Sequence, residues 1–273
     1  VKKIMNRPNQ IVGEMLSGFE HAYPDRIRSI EGTGVVVRAD APVQGKVGLV
    51  SGGGSGHEPA HAGYVGPGML DAAVAGEVFT SPTPDQILEA IKAVDSGRGV
   101  LCIVKNYTGD VLNFEMAAEL AAAEGIETAH VVVNDDVAVE DSTHTSGRRG
   151  IAGTVFVHKA AGAKAEEMAS LQEVKETAEQ VIRGVRSMGV ALTPCTLPEA
   201  GNPSFTLETD EIEIGIGIHG EPGTERIRLK TAAELTRLLA DNILSDLPFQ
   251  AENRVAVLVN GMGGHPLDGT VRR

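Results

Sequence analysis

Two α/β domains, the first built on a mostly parallel sheet, are what three features of this 273-residue chain predict. Apolar, β-branched runs end in polar or Gly-rich loops, patterns of helical period lie between those runs, and the texture of the chain changes after Gly189. Length sets the scale, since 273 residues can bury a substantial core and exceed the usual size of one domain. Hydrophobic residues at 42% and charged residues at 22% are ordinary for a globular protein.

In chain order, Gly34-Val35-Val36-Val37, Lys46 to Val50, Gly99 to Val104 and Ala129 to Val133 have the continuous apolar character of strands buried on both faces. Between them, Pro84 to Val94 sets Ile87, Leu88, Ile91 and Val94 on one helical face, with Thr83 placed to cap and Pro84 at the first position. Asn113 to Glu124, rich in Ala and ended by Gly125, predicts a second helix. Strands alternating with helices of this length need crossover connections, hence the parallel sheet. A longer helical stretch, Ser170 to Met188, opens on the capping-box spacing of Ser170 and Glu173. Thr231 and Glu234 repeat that spacing ahead of Leu235, Leu238 and Leu239. The Pro-rich passage Thr193 to Pro198, followed by Gly201-Asn202-Pro203, leads into the second domain, so the domains are expected at 1–189 and 190–273.

Composition removes several functions. Aromatic residues make up 3% with no Trp, too few for base-stacking platforms, and a net charge of -13 opposes a phosphate backbone, so no nucleic-acid partner is expected. Cys102 and Cys195 are the two cysteines, and reduced, structural thiols point to the cytosol. The chain starts without a signal-peptide pattern and has no apolar run of membrane-spanning length, so a soluble cytoplasmic protein without a membrane partner is expected.

Two Gly-rich stretches far apart in sequence carry the chemistry. Val47-Gly48-Leu49-Val50 opens into Ser51-Gly52-Gly53-Gly54-Ser55-Gly56-His57-Glu58-Pro59. The alternating Glu211-Ile212-Glu213-Ile214-Gly215-Ile216 opens into Gly217-Ile218-His219-Gly220-Glu221-Pro222-Gly223. Ligands of open α/β sheets bind beyond the carboxyl ends of strands, which predicts that Ser51 to Pro59, Lys105 to Asp110 and Asn134-Asp135-Asp136 share one rim.

The first stretch fails the phosphate-loop patterns, because His57 and Glu58 stand where Lys and Ser or Thr, or a further Gly, are required. It either cradles a small polar ligand by backbone N–H groups, with His57 as acid or base, or is a structural turn. His57-Glu58-Pro59-Ala60-His61 has zinc-protease spacing, but Pro59 opposes the helix that would bring both imidazoles to one ion. Lys105 and Asp110 read either as a surface ion pair or as groups that hold substrate hydroxyls. Asp135 and Asp136 read as a divalent-metal site or as caps at a strand or helix end, and no metal is assigned to this chain. Gly147-Arg148-Arg149-Gly150 is a basic loop that is either solvated or contacts a phosphate or acidic partner. His21, His130, His144, His158 and His265 stand in settings that suit structural or solvated roles. His219 differs: flanking glycines remove steric cover, so it either adds to a carbonyl carbon through a neutral, nucleophilic imidazole nitrogen or merely hydrogen-bonds in a tight turn.

Ser51 to Pro59, Gly76 to Asp85, Lys105 to Asp110, Gly147 to Gly150 and Gly217 to Gly223 together resemble the dihydroxyacetone-binding subunits of the dihydroxyacetone (glycerone) kinase family, in order over nearly the whole chain. The resemblance implies a phosphotransferase in which His219 holds the carbonyl carbon of dihydroxyacetone as a hemiaminal. It implies that Gly54, Ser55, Gly56 and His57 line the pocket, that Lys105 and Asp110 hold hydroxyls, and that His57 is the general base. It further implies a homodimer, and ATP or ADP with Mg²⁺ on a separate helical nucleotide-binding subunit rather than on this chain. A ketose-sensing regulator on the same scaffold, and a kinase for another short ketose or an aldehyde, are the alternative functions. Strand Arg254 to Asn260 and Gly261 to Gly264 fit the family, whose members continue beyond Arg273, so the second domain is expected to be C-terminally incomplete.

Overall fold

The computed structural model of the chain describes residues 3–138, 147–199 and 201–262. It runs α1 (Ile11–Ala22), β1 (Ile27–Ile30), β2 (Val35–Arg38), β3 (Gly48–Ser55), β4 (Ala72–Val78), α2 (Pro84–Val94), β5 (Val100–Lys105), α3 (Thr108–Ala123), β6 (Thr128–Val133), α4 (Thr154–Glu166) and α5 (Leu171–Gly184). After these come β7 (Val190–Ala191), β8 (Glu211–Ile214), β9 (Glu225–Arg228) and α6 (Ala232–Ser245). The larger sheet has the order β1-β2-β4-β3-β5-β6. Its β4-β3, β3-β5 and β5-β6 pairs are parallel, and the β1-β2 and β2-β4 pairs are antiparallel.

Alternation along β5 explains why this sheet needs cover on both sides. Val100, Cys102 and Val104 pack with Ile87, Ile91 and Phe114 of α2 and α3, whereas Leu101 and Ile103 pack with Val157 and Ala161 of α4 and Val174 of α5. Helix α1 uses Val12 and Leu16 to cover Ile27 and Val36. The Thr83 cap is realised as a full capping box with Gln86, and the box at Thr231 and Glu234 opens α6. Ser170 and Glu173 bond reciprocally ahead of α5, which ends at Gly184 rather than Met188.

The chain groups into two compact units. One holds the chain up to Val133 with Thr154–Arg183, and the other holds Asn134–Gly153 with Gly184–Arg273. A single cut at 189/190 therefore differs from the observed grouping, because 134–153 joins the later residues. The second unit's sheet, β7-β8-β9, is antiparallel throughout, and Ile212 and Ile214 of β8 bury against Leu235 of α6. The expected strand Arg254 to Asn260 takes no strand pairing among the described residues, and Val255, Val257 and Val259 are exposed. Gly263, Gly264 and Arg273 lie outside the described residues.

A buried ion cluster fixes the amino ends of β3 and β4. Asp71 accepts from Lys46 Nζ at 2.5 Å, from the Leu49 amide at 2.8 Å and from Arg38 Nη1 at 3.2 Å, and Arg38 also meets Glu166 of α4. Lys46 and Asp71 precede two adjacent parallel strands, so their bond sets the register in which Val50 faces Ala72. Asp71→Ala would leave the Lys46 ammonium, 2% exposed, without its carboxylate. Stability should fall by about 3–5 kcal/mol, read from the urea midpoint, with Asp71→Asn in between. A midpoint unchanged by Asp71→Ala would deny the cluster this role.

Candidate active site

Gly52 to Ser55, expected in a loop, are the last residues of β3, fully within the ladder to β4. Gly52 and Gly54 are needed because the neighbouring backbone comes too close for side chains. A Cβ at Gly54 would stand 2.5 Å from the Thr80 amide nitrogen and 2.7 Å from the Phe79 carbonyl carbon. Ser55 donates its hydroxyl to the Gly76 carbonyl at 2.7 Å, and Phe79 N–H returns to Ser55 O at 2.9 Å, so β3 and the end of β4 are stitched together. The chain leaves the strand at Gly56, whose N–H donates to Glu58 Oε1 at 3.0 Å.

His57 lies flat on Phe79, with ring centroids 4.9 Å apart and planes 8° from parallel. Phe79 holds a left-handed φ of 56°, uncommon for a bulky residue, to present its ring there. His57 and His61 do not share a helical face. The segment between them is made of turns, and His61 is buried with Nδ1 3.3 Å from Ser51 Oγ. The zinc-protease geometry is therefore not formed.

Lys105, the last residue of β5, and Asp110, in the first turn of α3, are 3% and 2% exposed, which overturns their reading as a surface ion pair. Helix α3 starts five residues earlier than the expected Asn113, and this is what puts Asp110 at a helix amino end, where the dipole favours a carboxylate. Both side chains flank the bare Cα of Gly53: a Cβ there would be 3.3 Å from Lys105 Nζ and 3.5 Å from Asp110 Oδ2. The strand end thus gathers Gly53, Gly54, Ser55, Lys105 and Asp110 in one unit, with His57 on the adjoining turn.

The second histidine stands in the other unit, on the turn between β8 and β9. His219 Nδ1 is 2.9 Å from Glu221 Oε1, and its backbone N–H donates to Glu221 Oε2 at 2.9 Å. Partial burial pushes the Glu221 carboxyl up, but the His219 hydrogen bonds outweigh it and hold the pKa at about 2. An ionised carboxylate only accepts, so Nδ1 carries the proton and the lone pair of the neutral ring sits on Nε2. The turn is closed by Gly217 N–H to Glu221 O at 3.1 Å and by Gly223 N–H to Glu213 Oε1 at 2.9 Å. Glu221 was visible in the sequence motif without a role, and its spacing of two residues from His219 is the signal for it.

Asp135 and Asp136 are fully buried, and N–H donors occupy their oxygens. Asp135 takes the amides of Ile151 and Gly153, both at 2.8 Å, and Asp136 takes Ala138 N–H at 3.0 Å and Arg149 Nε at 2.8 Å. Residues 134–136 belong to the unit that carries His219. Arg148 pairs with Asp246, so neither arginine of the expected basic loop is a solvated charge. Burial pushes the Cys102 thiol up to about 12, which makes it inert. His158 is 1% exposed and burial lowers it to about 3, whereas His21 and His130 are exposed. His144 and His265 lie outside the described residues. Among the described residues no helix is long and apolar enough to cross a membrane.

Residues 17–270 match the Dak1 domain family. The chain is 60% identical, over 98% of its length and 81% of the relative's, to the PTS-dependent dihydroxyacetone kinase 1, dihydroxyacetone-binding subunit DhaK of Listeria innocua. The structure is similar to the dihydroxyacetone kinase of C. freundii in complex with AMP-PNP and Mg²⁺, with a TM-score of 0.84 at 41% identity, covering 90% of this chain and 46% of that one. It is also similar to the dihydroxyacetone kinase operon co-activator Dha-DhaQ, with a TM-score of 0.79 at 38% identity, covering 85% of this chain and 71% of that one.

Nitrogen-15 NMR of histidine-labelled protein should show the neutral His219 ring protonated at Nδ1, and Glu221→Ala should release it into a mixture of tautomers. Because the folded Glu221 pKa is depressed, its contribution to stability is present above the ordinary carboxylate range and is lost as pH falls from there through about 2. The stability difference between wild type and Glu221→Gln should therefore narrow over that descent and stay flat above it. Gly54→Ala should force Phe79 and Thr80 away, cost roughly 1–3 kcal/mol, and separate the Phe79 ring from His57, visible in the ring-current shifts of the imidazole.

Proposed function

The chain belongs to the Dak1 domain family, and from that membership and the geometry of its two histidines we propose that it is the ketone-binding subunit of a dihydroxyacetone kinase. The observation that carries the chemistry is the hydrogen bond of His219 Nδ1 to Glu221, because it leaves the Nε2 lone pair for a carbonyl carbon. The lone pair forms a C–N bond to C2 of dihydroxyacetone and the carbonyl π pair moves to oxygen. That oxygen takes a proton from water while the Nδ1 proton is lost to water past Glu221, so one proton enters, one leaves, and the product is a neutral hemiaminal. Glycerol has no electrophilic carbon and is rejected. In this reading the buried Lys105 and Asp110 hold hydroxyls, and Gly54, Ser55 and Gly56 line the pocket. His57 takes the proton of the terminal hydroxyl as its oxygen bonds to the phosphorus of the donor and the bond to the departing nucleotide breaks. Positioning and charge stabilisation supply most of the rate in such transfers.

The nucleotide and Mg²⁺ are assigned to a helical partner subunit. The similarity to the nucleotide complex from C. freundii supports this, because this chain spans 46% of that one. Asp135 and Asp136, the carboxylate pair that a divalent ion would need on this chain, are taken by Arg149 and backbone amides. The Listeria innocua relative, named as a dihydroxyacetone-binding subunit, supports an assembly with other subunits; a nucleotide-loaded partner as the donor and a homodimer complete this reading. The likeness to an operon co-activator favours a second reading, a ketose-sensing regulator that traps the ketone and transfers nothing.

Dihydroxyacetone labelled with carbon-13 at the carbonyl should give a tetrahedral carbon signal with wild type and none with His219→Ala. With the helical partner and ATP, wild type should form the phosphate ester, and His57→Ala should keep the carbon signal while losing ester formation by roughly a hundredfold or more. Folded wild type that gives no tetrahedral signal would refute the reading. Trapping without ester formation would select the regulator.

A further inference from the structure

We propose that Arg149, held by Asp136, is the positioning residue of the His219 turn: one guanidinium joins the two ends of that turn and fixes where the imidazole stands. The inference rests on the reading that His219 traps a carbonyl, and it assigns a task to the second arginine of Gly147-Arg148-Arg149-Gly150 that the function above leaves unused. Arg149 is 9% exposed. Its Nε donates to Asp136 Oδ2 at 2.8 Å, and Nη2 lies 2.8 Å from the same oxygen. Nη2 also donates to Gly215 O at 2.8 Å, and Nη1 reaches Pro222 O at 3.5 Å. Gly215 is the residue where the chain leaves β8, and Pro222 is three residues before β9 begins. The two carbonyls therefore bracket His219 and Glu221, and a single rigid fork sets the distance between them.

The turn also rests directly on the fork. A Cβ at Gly217 would stand 2.6 Å from Arg149 Nη1 and would strike the Glu221 carboxylate. The fork cannot swing away, because Asp136 is fully buried and its other oxygen is tied to the Ala138 amide at 3.0 Å. Lysine is no substitute, since a point ammonium cannot span two carbonyls and a carboxylate in one plane. Arg148 is spent elsewhere, on Asp246, which Arg186 shares.

Covalent trapping needs the nucleophilic nitrogen at a defined approach to the carbonyl, and displacement by about 1 Å costs on the order of a hundredfold. Arg149→Lys should therefore raise the dihydroxyacetone concentration for half-maximal trapping, and KM with it, by roughly tenfold or more, while kcat at saturation changes by less than about threefold. Amide hydrogen exchange without substrate supplies a readout independent of trapping. Residues 217–223 should exchange roughly tenfold faster in Arg149→Lys, with 211–214 unchanged, and Asp136→Asn should do the same to a smaller degree. Arg148→Gln should leave 217–223 at the wild-type rate. Wild-type exchange across 217–223 in folded Arg149→Lys or Asp136→Asn would overturn the proposal, as would equal acceleration in Arg148→Gln. If wild type traps no ketone, the functional reading falls and the exchange rates still decide the clamp.

Discussion

Backbone proximity at the carboxyl end of β3 is the constraint on which the candidate site of the larger unit depends. Gly52 runs so close to Val74, and Gly54 to Phe79 and Thr80, that side chains are excluded at both. The bare strand leaves room beside Gly53, which Lys105 and Asp110 occupy from the next strand and helix. A buried ammonium and a buried carboxylate at one strand end are costly to desolvate, and the carboxylate stands in the first turn of α3, where the helix dipole favours its charge. The same closeness brings Phe79 under His57, so the orientation of an imidazole on a turn is set by packing rather than by a hydrogen-bonded partner alone.

The smaller unit meets a different constraint, which is to hold an imidazole on a turn without letting it drift. Glu221 fixes which nitrogen carries the proton, Glu213 fixes Gly223 at the far end, and the turn closes on itself through Gly217 and Glu221. The two glutamates set charged acceptors on backbone and imidazole N–H groups, the strong class of hydrogen bond, while the Gly217 bond to the Glu221 carbonyl is between backbone groups. Polar groups thereby replace the apolar packing that a turn between short strands cannot supply. Glu213 illustrates the cost: it sits in a strand reading Glu-Ile-Glu-Ile, where alternation would send it to solvent, yet it is 5% exposed because Gly223 and Arg226 pair with it.

Sequence period disclosed the elements whose burial follows one rule. Val100 to Lys105 and Pro84 to Val94 are bounded within a residue of expectation, since continuous apolar character and a Thr-Pro start leave little ambiguity. Strand β4 was missed because Ala72-Ala73-Val74-Ala75-Gly76 has small side chains and weak β character, and α4 because the face it buries is Thr154, Val157, His158, Ala161, Gly162 and Ala165, mostly small or polar side chains that make no apolar stripe. The glycine run was expected to leave the sheet, whereas close approach of β4 keeps it inside. Arg254 to Asn260 shows the reverse failure, an apolar run that has strand composition and no ladder among the described residues. The candidate site residues were named through motif resemblance, whereas the groups that hold them were not. Phe79, Glu221 and Arg149 act through stacking, tautomer and carbonyl contacts that arise only once distant residues meet.

Arg148 and Arg149 make that distinction concrete. Adjacent in sequence and identical in charge, they suggest one basic patch, and the net charge of -13 makes such a patch conspicuous. Yet each guanidinium finds a different carboxylate. Arg148 shares Asp246 with Arg186, which holds the Asp246 carboxyl down to about 2, whereas Arg149 turns inward to Asp136 and two backbone carbonyls. Charge alone favours neither destination. The planar fork matches Gly215 O and Pro222 O only from the inner position, and only because Gly217 has no Cβ to hold the turn away. The glycine whose missing Cβ leaves room for the Glu221 carboxylate is thus the same residue that lets an arginine settle beneath the turn, so the imidazole contact and the clamp share one local cause.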